Sequence, residues 1–397
     1  VLIAVYQGFF MTQTIASLTT HLAVQPLWQQ LTKIDALVDL AVAVQQIPAP
    51  TFDEANRAGF IAAKFVEARL QDVSMDDLYN VYGRYPSANP THPPVIISAH
   101  SDTVFPRVTD LTVRRDGRII HGPGIGDNST GVAGIIHLAQ LFTDSQLALP
   151  ADLWFVSNVG EEGLGDLRGM RAVVERFGGK ATYLVVEGGL FGQVSHQAIG
   201  VRRFEVALQT PGGHSWGSFG KRSAIHEMAH LIAEIDRLSV PQHPKTTYNV
   251  GIVEGGTSIN SIANSARFLL DLRSESPDEL KNLVAQVERL VVEANRRKDV
   301  SVQMTLIGNR PAGQLPESHP LVRQALEALQ AVGFTRGRTI ASSTDANVPL
   351  SRGFTAVCIG LAESGNAHRP DEYVDMTQLT NGMRQLLLLT LAAAQFS

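Results

Sequence analysis

Five side chains of metal-binding type stand at or just beyond the ends of apolar runs: His100, Asp127, Glu162, Glu187 and His368. The first belongs to Pro94-Val-Ile-Ile-Ser-Ala-His100-Ser-Asp102, where a short apolar run stops abruptly. Such a run has the pattern of a strand buried on both faces of a parallel sheet. Strand side chains alternate, so His100 and Asp102 leave the sheet on the same side. A neutral imidazole can bind a metal through one nitrogen while a carboxylate holds the other and fixes the tautomer. Two more runs behave alike. Asp152–Ser157 leads into Asn158-Val-Gly-Glu161-Glu162-Gly163, and Ala181–Val186 ends at Glu187-Gly-Gly. Adjacent acids in a tight loop repel, and a cation would relieve them. Asp127 follows a glycine-rich turn and enters a helix, where the plain alternative is an N-cap carboxylate. Two imidazoles with three carboxylates suit a pair of zinc ions, or cobalt or manganese, sharing one bridging carboxylate.

A rival motif lies elsewhere. His226-Glu227-Met-Ala-His230 matches the His-Glu-x-x-His helix of mononuclear zinc proteases. Its polar face continues to Glu234 and Arg237, opposite Ala224, Ile225, Met228, Leu231, Ile232 and Ile235. A solvated stripe on an amphipathic helix is the preferred reading, with Glu254 an unmotivated third ligand.

The elements that must position these residues follow from periodicity. A helix is expected over Leu27–Gln45, ended by Ile47-Pro-Ala-Pro, and a capping box at Thr51–Glu54 opens a second helix through about Leu70. Strands are expected at Asn80–Arg84 and Val95–Ala99, a hairpin over Leu111–Ile120, and a helix over Gly131–Phe142. In open α/β sheets the ligand site lies at the carboxyl ends of the strands, where three of the candidates fall. From Gly200 the character changes to βαββαβ: strands at Val201–Gln209, Thr247–Glu254, Ala266–Arg273 and Val300–Ile307, with helices at Ser223–Leu238 and Pro277–Ala294. Gly308-Asn-Arg310-Pro then returns the chain to a further buried strand at Thr355–Gly360. The fold class is α/β, a mixed, mostly parallel sheet with an inserted α+β domain. The expected divisions are residues 11–199, 200–308 and 309–397.

At 397 residues the chain exceeds the size at which one core stops growing, which favours two domains. A net charge of -5 without basic blocks gives no reason to expect nucleic acid or a membrane surface. The single cysteine, Cys358, allows no intrachain disulfide and fits a reducing cytoplasm. Val1–Phe10 is apolar but too short to span a bilayer, and Met11 suggests an extension before the natural start. The apolar run Leu386–Ala394 reads as a buried final helix.

Ser98-Ala-His100-Ser-Asp102-Thr-Val, Gly124-Ile-Gly-Asp127-Asn, Gly160-Glu161-Glu162-Gly, Val186-Glu187-Gly, Gly212-Gly-His214-Ser and Ala367-His368 occur in this order. Together they resemble the di-zinc metallopeptidase family of carboxypeptidase G, acetylornithine deacetylase, succinyl-diaminopimelate desuccinylase and aminoacylase. The resemblance implies that Asp127 bridges two metals, with His100 and Glu187 on one and Glu162 and His368 on the other. It makes Asp102 the residue that orients His100, and Glu161 the general base for a hydroxide bridging the metals. His214 would stabilise the oxyanion, often in the partner subunit's site, and Asn260, Arg273 and Arg310 would bind substrate carbonyl and carboxylate. It also makes residues 200–308 a lid and dimerisation domain, hence a homodimer. The chain departs from relatives at Ser261-Ile-Ala after Asn260, and at Asp127-Asn-Ser-Thr-Gly, where many have lysine before the glycine.

The expected activity is hydrolysis of amide bonds in small peptides or N-acyl amino acids, of carboxypeptidase or deacylase type. A di- or tripeptide aminopeptidase on the same site is the alternative; relatives of that kind tend to carry Asp where this chain has Glu187. A mononuclear protease and a non-catalytic binding protein rank lower, since no ligand of the family pattern is lost.

Overall fold

The computed structural model describes residues 14–396; Val1–Phe10 and Met11 lie outside them. Strands Leu153–Asn158, Val95–His100, Thr182–Glu187 and Ala356–Gly360 are neighbours in the central sheet and run parallel. Every residue of Val95–His100 is buried, as expected of a strand covered on both faces. His100 stands opposite Asn158, and Glu187 opposite Gly360, so the carboxyl ends finish at one edge. Antiparallel strands flank this parallel core: Val81–Tyr85 and Gln71–Met75 on one side, Gln193–Ala198 on the other. Helix Thr130–Ser145 packs on Val95–His100 and Thr182–Glu187, and the buried final helix Leu379–Ala393 packs beside it.

A second sheet has the order Thr246–Gly255, Ser265–Ser274, Gly200–Gln209, Ser301–Arg310, all antiparallel. Helices Ala224–Ile235 and Pro277–Asn295 cover one of its faces around Val206, Phe268, Leu270 and Val287, a core separate from the main one. The chain enters and leaves this sheet side by side, because Arg310 pairs with Val201. The open face carries Arg203, Asp271 and Arg273 near that crossing.

Two helix expectations need correction. Leu27–Gln45 is two helices, Gln25–Gln30 and Asp35–Gln45, broken by a turn that leaves Leu31 buried. The turn preserves the inward spacing, so periodicity could not register the break. The capping box does not form either: the helix is Ala55–Glu67 and Glu54 makes no cap. Instead Glu54 accepts from the Phe52 N–H at 2.8 Å and from Arg168 at 2.5 Å, while the Thr51 hydroxyl donates to Asp102 at 2.8 Å. The strands Gln71–Met75, Gln193–Ala198 and Arg338–Ser342 carry too many polar residues to stand out in the sequence.

Candidate metal centre

His100, the last residue of its strand, is buried and points Nε2 at Asp127 Oδ1, 3.1 Å away, with Glu187 Oε2 at 3.6 Å. His368 Nε2 lies 3.1 Å from Asp127 Oδ2 and 3.2 Å from Glu162 Oε1. The two oxygens of Asp127 therefore face two different histidines. Among the described residues, the groups that bring three such ligand atoms within 4.8 Å are His100, Asp127, Glu187 and Asp127, Glu162, His368. They share Asp127.

Asp102 is the fulcrum beneath this cluster. Its Oδ1 and Oδ2 accept from the N–H groups of Glu161 and Glu162 at 3.0 Å each. Oδ1 also lies 3.5 Å from His100 Nδ1, whose hydrogen-bond partner is the Asp102 carbonyl at 3.1 Å. Asp102 thus meets the His100 ring through its main-chain carbonyl and ties down the adjacent acids through its carboxylate. Sequence reasoning missed two supports. Glu372 accepts from the N–H groups of Gly124, Gly126 and Asp127 at 3.1, 2.8 and 2.9 Å, and burial pushes its carboxyl up to about 7. Asn128 donates to the Val186 carbonyl and accepts from the Gly188 N–H, fastening the Asp127 turn to the Glu187 turn. The available signal was position: Glu372 follows His368 by one helical turn's worth of sequence, and Asn128 adjoins Asp127.

The cluster opens into a cavity of about 410 Å³ that Glu161, Arg203, Arg273 and Arg310 also line. Glu161 Oε1 accepts from Arg310 Nη1 at 2.8 Å, and burial still holds its carboxyl well above the usual range. Asp271 pairs with both Arg203, at 3.0 Å, and Arg273, at 2.6 Å. His214 and Asn260 are exposed and do not line this cavity. His214 pairs with Ser261 in a small ladder, Gly213–His214 against Ser261–Ile262, and the Asn260 carbonyl accepts from the Ser215 N–H beside it at 2.9 Å. His214 Nδ1 accepts from the N–H groups of Trp216 and Gly217, at 3.2 and 3.3 Å, which leaves Nε2 to carry the proton.

The rival helix motif is structural. Glu227 is buried and spends one oxygen on Arg222 at 2.8 Å and the other on Arg297 at 2.9 Å. His226 and His230 are exposed beside it.

The five clustered residues fit divalent ions on their own chemistry. Burial raises the carboxyls of Glu162 and Glu187, and the neighbouring Asp127 charge adds to both shifts. Asp127 and Glu162 in turn push the His368 imidazole up to about 10, so without metal, protons offset the crowded carboxylates. Glu162 Oε1 is buried with only the His368 imidazole, 3.2 Å away, beside it. Cations between the groups would satisfy that oxygen and relieve the crowding, and a nitrogen and oxygen donor set suits zinc, cobalt or manganese.

The chain is similar to known proteins in sequence and in fold. A probable carboxypeptidase of Arthroderma otae is 25% identical over 293 residues, covering 64% of this chain and 62% of that relative. A tripeptidase from Staphylococcus aureus has the same fold, with a TM-score of 0.76 at 20% identity, covering 90% of this chain and 98% of that one. A dinuclear metal-binding peptidase from Bacillus subtilis superposes with a TM-score of 0.66 at 17% identity, over 92% and 98% of the two chains. The match to the family itself runs over residues 96–392, from the strand that carries His100 into the final helix, and on that basis the chain belongs to peptidase family M20/M25/M40.

Proposed function

We propose that this chain hydrolyses an amide bond beside a free carboxylate, at the C-terminus of a small peptide or in an N-acyl amino acid. His100 and Glu187 would hold one divalent ion, Glu162 and His368 a second, and Asp127 both, with zinc the expected metal. Bound there, the ions would supply Lewis acidity, polarising the scissile carbonyl and acidifying water. The protein's own groups do the rest. Glu161 accepts the proton of the attacking water at its carboxylate and returns it to the leaving nitrogen. Arg273, on the open face of the second sheet, grips the substrate carboxylate with its guanidinium fork. His214 donates its Nε2–H to the developing oxyanion. Its position outside its own cavity supports action in a second copy, with residues 200–308 as lid and dimer surface and Asn260 beside it.

The observation that carries this reading is the split of Asp127, one oxygen to each histidine, above a cavity that Glu161 and three arginines share. The name of the Arthroderma otae relative favours a carboxypeptidase. The test is a hydrolysis screen of chelated and zinc-reloaded protein on N-acyl amino acids, N-blocked dipeptides and free tripeptides. Zinc-dependent cleavage of blocked substrates with a free C-terminal carboxylate is expected. An obligatory free amine, with C-terminal amides cleaved well, would establish the aminopeptidase instead.

A further inference from the structure

We propose that Asp166 and Arg171 are positioning residues that clasp the edge of the second sheet at Asn309 and so set where Arg203 and Arg273 stand over the metal centre. This rests on the hydrolase reading above and goes beyond it, since neither residue lines the cavity.

Among the described residues, strand Ser301–Arg310 pairs with Gly200–Gln209 on one side and with no strand on the other. A residue of an antiparallel edge strand turns its N–H and its carbonyl both inward or both outward. Asn309 turns them outward, and two side chains of the main body take them. Its N–H donates to Asp166 Oδ1 at 2.6 Å, and its carbonyl accepts from Arg171 Nη2 at 2.6 Å. Arg171 Nη2 also lies 3.4 Å from Asp166 Oδ2, so the pair forms one charged fork where a further strand would otherwise run.

The fork stands on a stiff block, residues 160–167. The Leu167 N–H donates to the Gly160 carbonyl and the Gly165 N–H to the Glu162 carbonyl, both at 2.8 Å. A side chain at Gly165 would begin 2.6 Å from the Gly160 Cα, so the loop closes backbone against backbone. Asp102 holds one end through the N–H groups of Glu161 and Glu162. At the other end Asp166 and Leu167 are left-handed, with φ of 54° and 60°, a conformation that aspartate tolerates better than most residues. One block thus carries both the candidate ligand Glu162 and the clasp.

On the far side of the clasp, Asn309 follows Gly308, which stands opposite Arg203 on the neighbouring strand. Arg203 shares Asp271 with Arg273 and donates to the Gly163 carbonyl of the same block. The clasp therefore fixes the sheet edge one residue from the arginine that anchors this cavity wall. The crossings themselves are pinned separately. The fully buried Asn347 donates to the Ile199 and Pro311 carbonyls at 2.8 and 3.0 Å. Loss of the clasp should leave the sheet attached at that pin and able to tilt about it.

The clasp-free variant is Asp166→Gly, which accepts the left-handed backbone and removes the carboxylate. Asp166→Asn keeps an acceptor oxygen for the Asn309 N–H and serves as the rescue. Nitroxides on the exposed positions of Ala63→Cys, in the main body, and Glu288→Cys, on a helix of the second sheet, report the tilt, while the buried Cys358 stays unlabelled. Metal-free wild-type protein should give a narrow distance distribution. It should broaden or shift in Asp166→Gly and return in Asp166→Asn. In zinc-loaded protein, Asp166→Gly should lower kcat/KM roughly 10²-fold, the scale of a misplacement of about 1 Å, and Asp166→Asn should recover most of it. Arg171→Met should behave like Asp166→Gly, and the double variant should be no worse than the more severe single, because both act through Asn309. A role confined to stability would lower the unfolding midpoint and leave the distances unchanged. That result would overturn the proposal, as would strictly additive losses in the double variant. Absence of hydrolysis by wild-type protein would count against the hydrolase reading, while the distances would still decide the clasp.

Discussion

Removing the Asp102 carboxylate should loosen the site and weaken the fold by separable amounts. The carboxylate is fully buried and accepts from two main-chain N–H groups at 3.0 Å and from the Thr51 hydroxyl at 2.8 Å. In Asp102→Ala both N–H groups lose their acceptor inside the protein. An orphaned buried donor costs about 1–3 kcal/mol, which puts the loss at about 2–6 kcal/mol. The fully buried Arg57, which feels the Asp102 charge, pushes the value toward the upper end. Asp102→Asn keeps one acceptor oxygen and turns an amide NH2 toward the other donor, for a loss of about 1–3 kcal/mol. Both variants lose the charge facing His100 Nδ1, and metal affinity should fall by roughly 10–100-fold in each. Denaturant unfolding of metal-free proteins isolates the stability change from the linkage of metal to folding. Metal titration then gives the affinity. If Asp102→Ala unfolds within about 0.5 kcal/mol of wild type, the change expected of an unimportant surface site, the accounting is wrong. The same holds if asparagine costs as much as alanine.

Glu161→Gln should reduce turnover by roughly 10²–10⁴-fold, the range for a general base, with bound metal nearly unchanged by elemental analysis. Loss of metal would make Glu161 a ligand. His226→Ala combined with His230→Ala should leave metal content and activity at wild-type levels, because Glu227 between them is committed to Arg222 and Arg297. His214→Ala should lower kcat by roughly 10²–10³-fold, the cost of one oxyanion donor. Mixing it with inactive Glu161→Gln subunits should restore some activity if the histidine serves a partner's site. No recovery in proven heterodimers would place it in its own.

The strand ends were legible because a fully buried parallel strand must be apolar, so a polar residue at its edge has to have a reason. His100 and Glu187 were readable on those grounds. Asp127 and His368 were candidates by residue type just beyond apolar runs, but their meeting 3.1 Å apart depends on chain folding across 241 residues, which no local pattern shows. Thr51 and Glu54 looked like a local cap, and the structure gives Thr51 to Asp102 and Glu54 to Arg168. Local and tertiary uses of the same polar residues look identical in sequence. Glu372 escaped notice for the opposite reason, since it adjoins no apolar run and its partners are main-chain N–H groups, which any sequence supplies. Arg310 was legible as a cation near the return crossing. Its pairing with Glu161 was not.

The central claim is that two ions share Asp127. Anomalous scattering from zinc-loaded crystals locates metals directly, without reference to any substrate. Two peaks are predicted, one contacting His100, Asp127 and Glu187 and the other Asp127, Glu162 and His368, with the first lost in His100→Ala and the second in His368→Ala. A single peak, or density at His226 and His230 with the Asp127 cluster empty, would contradict the account.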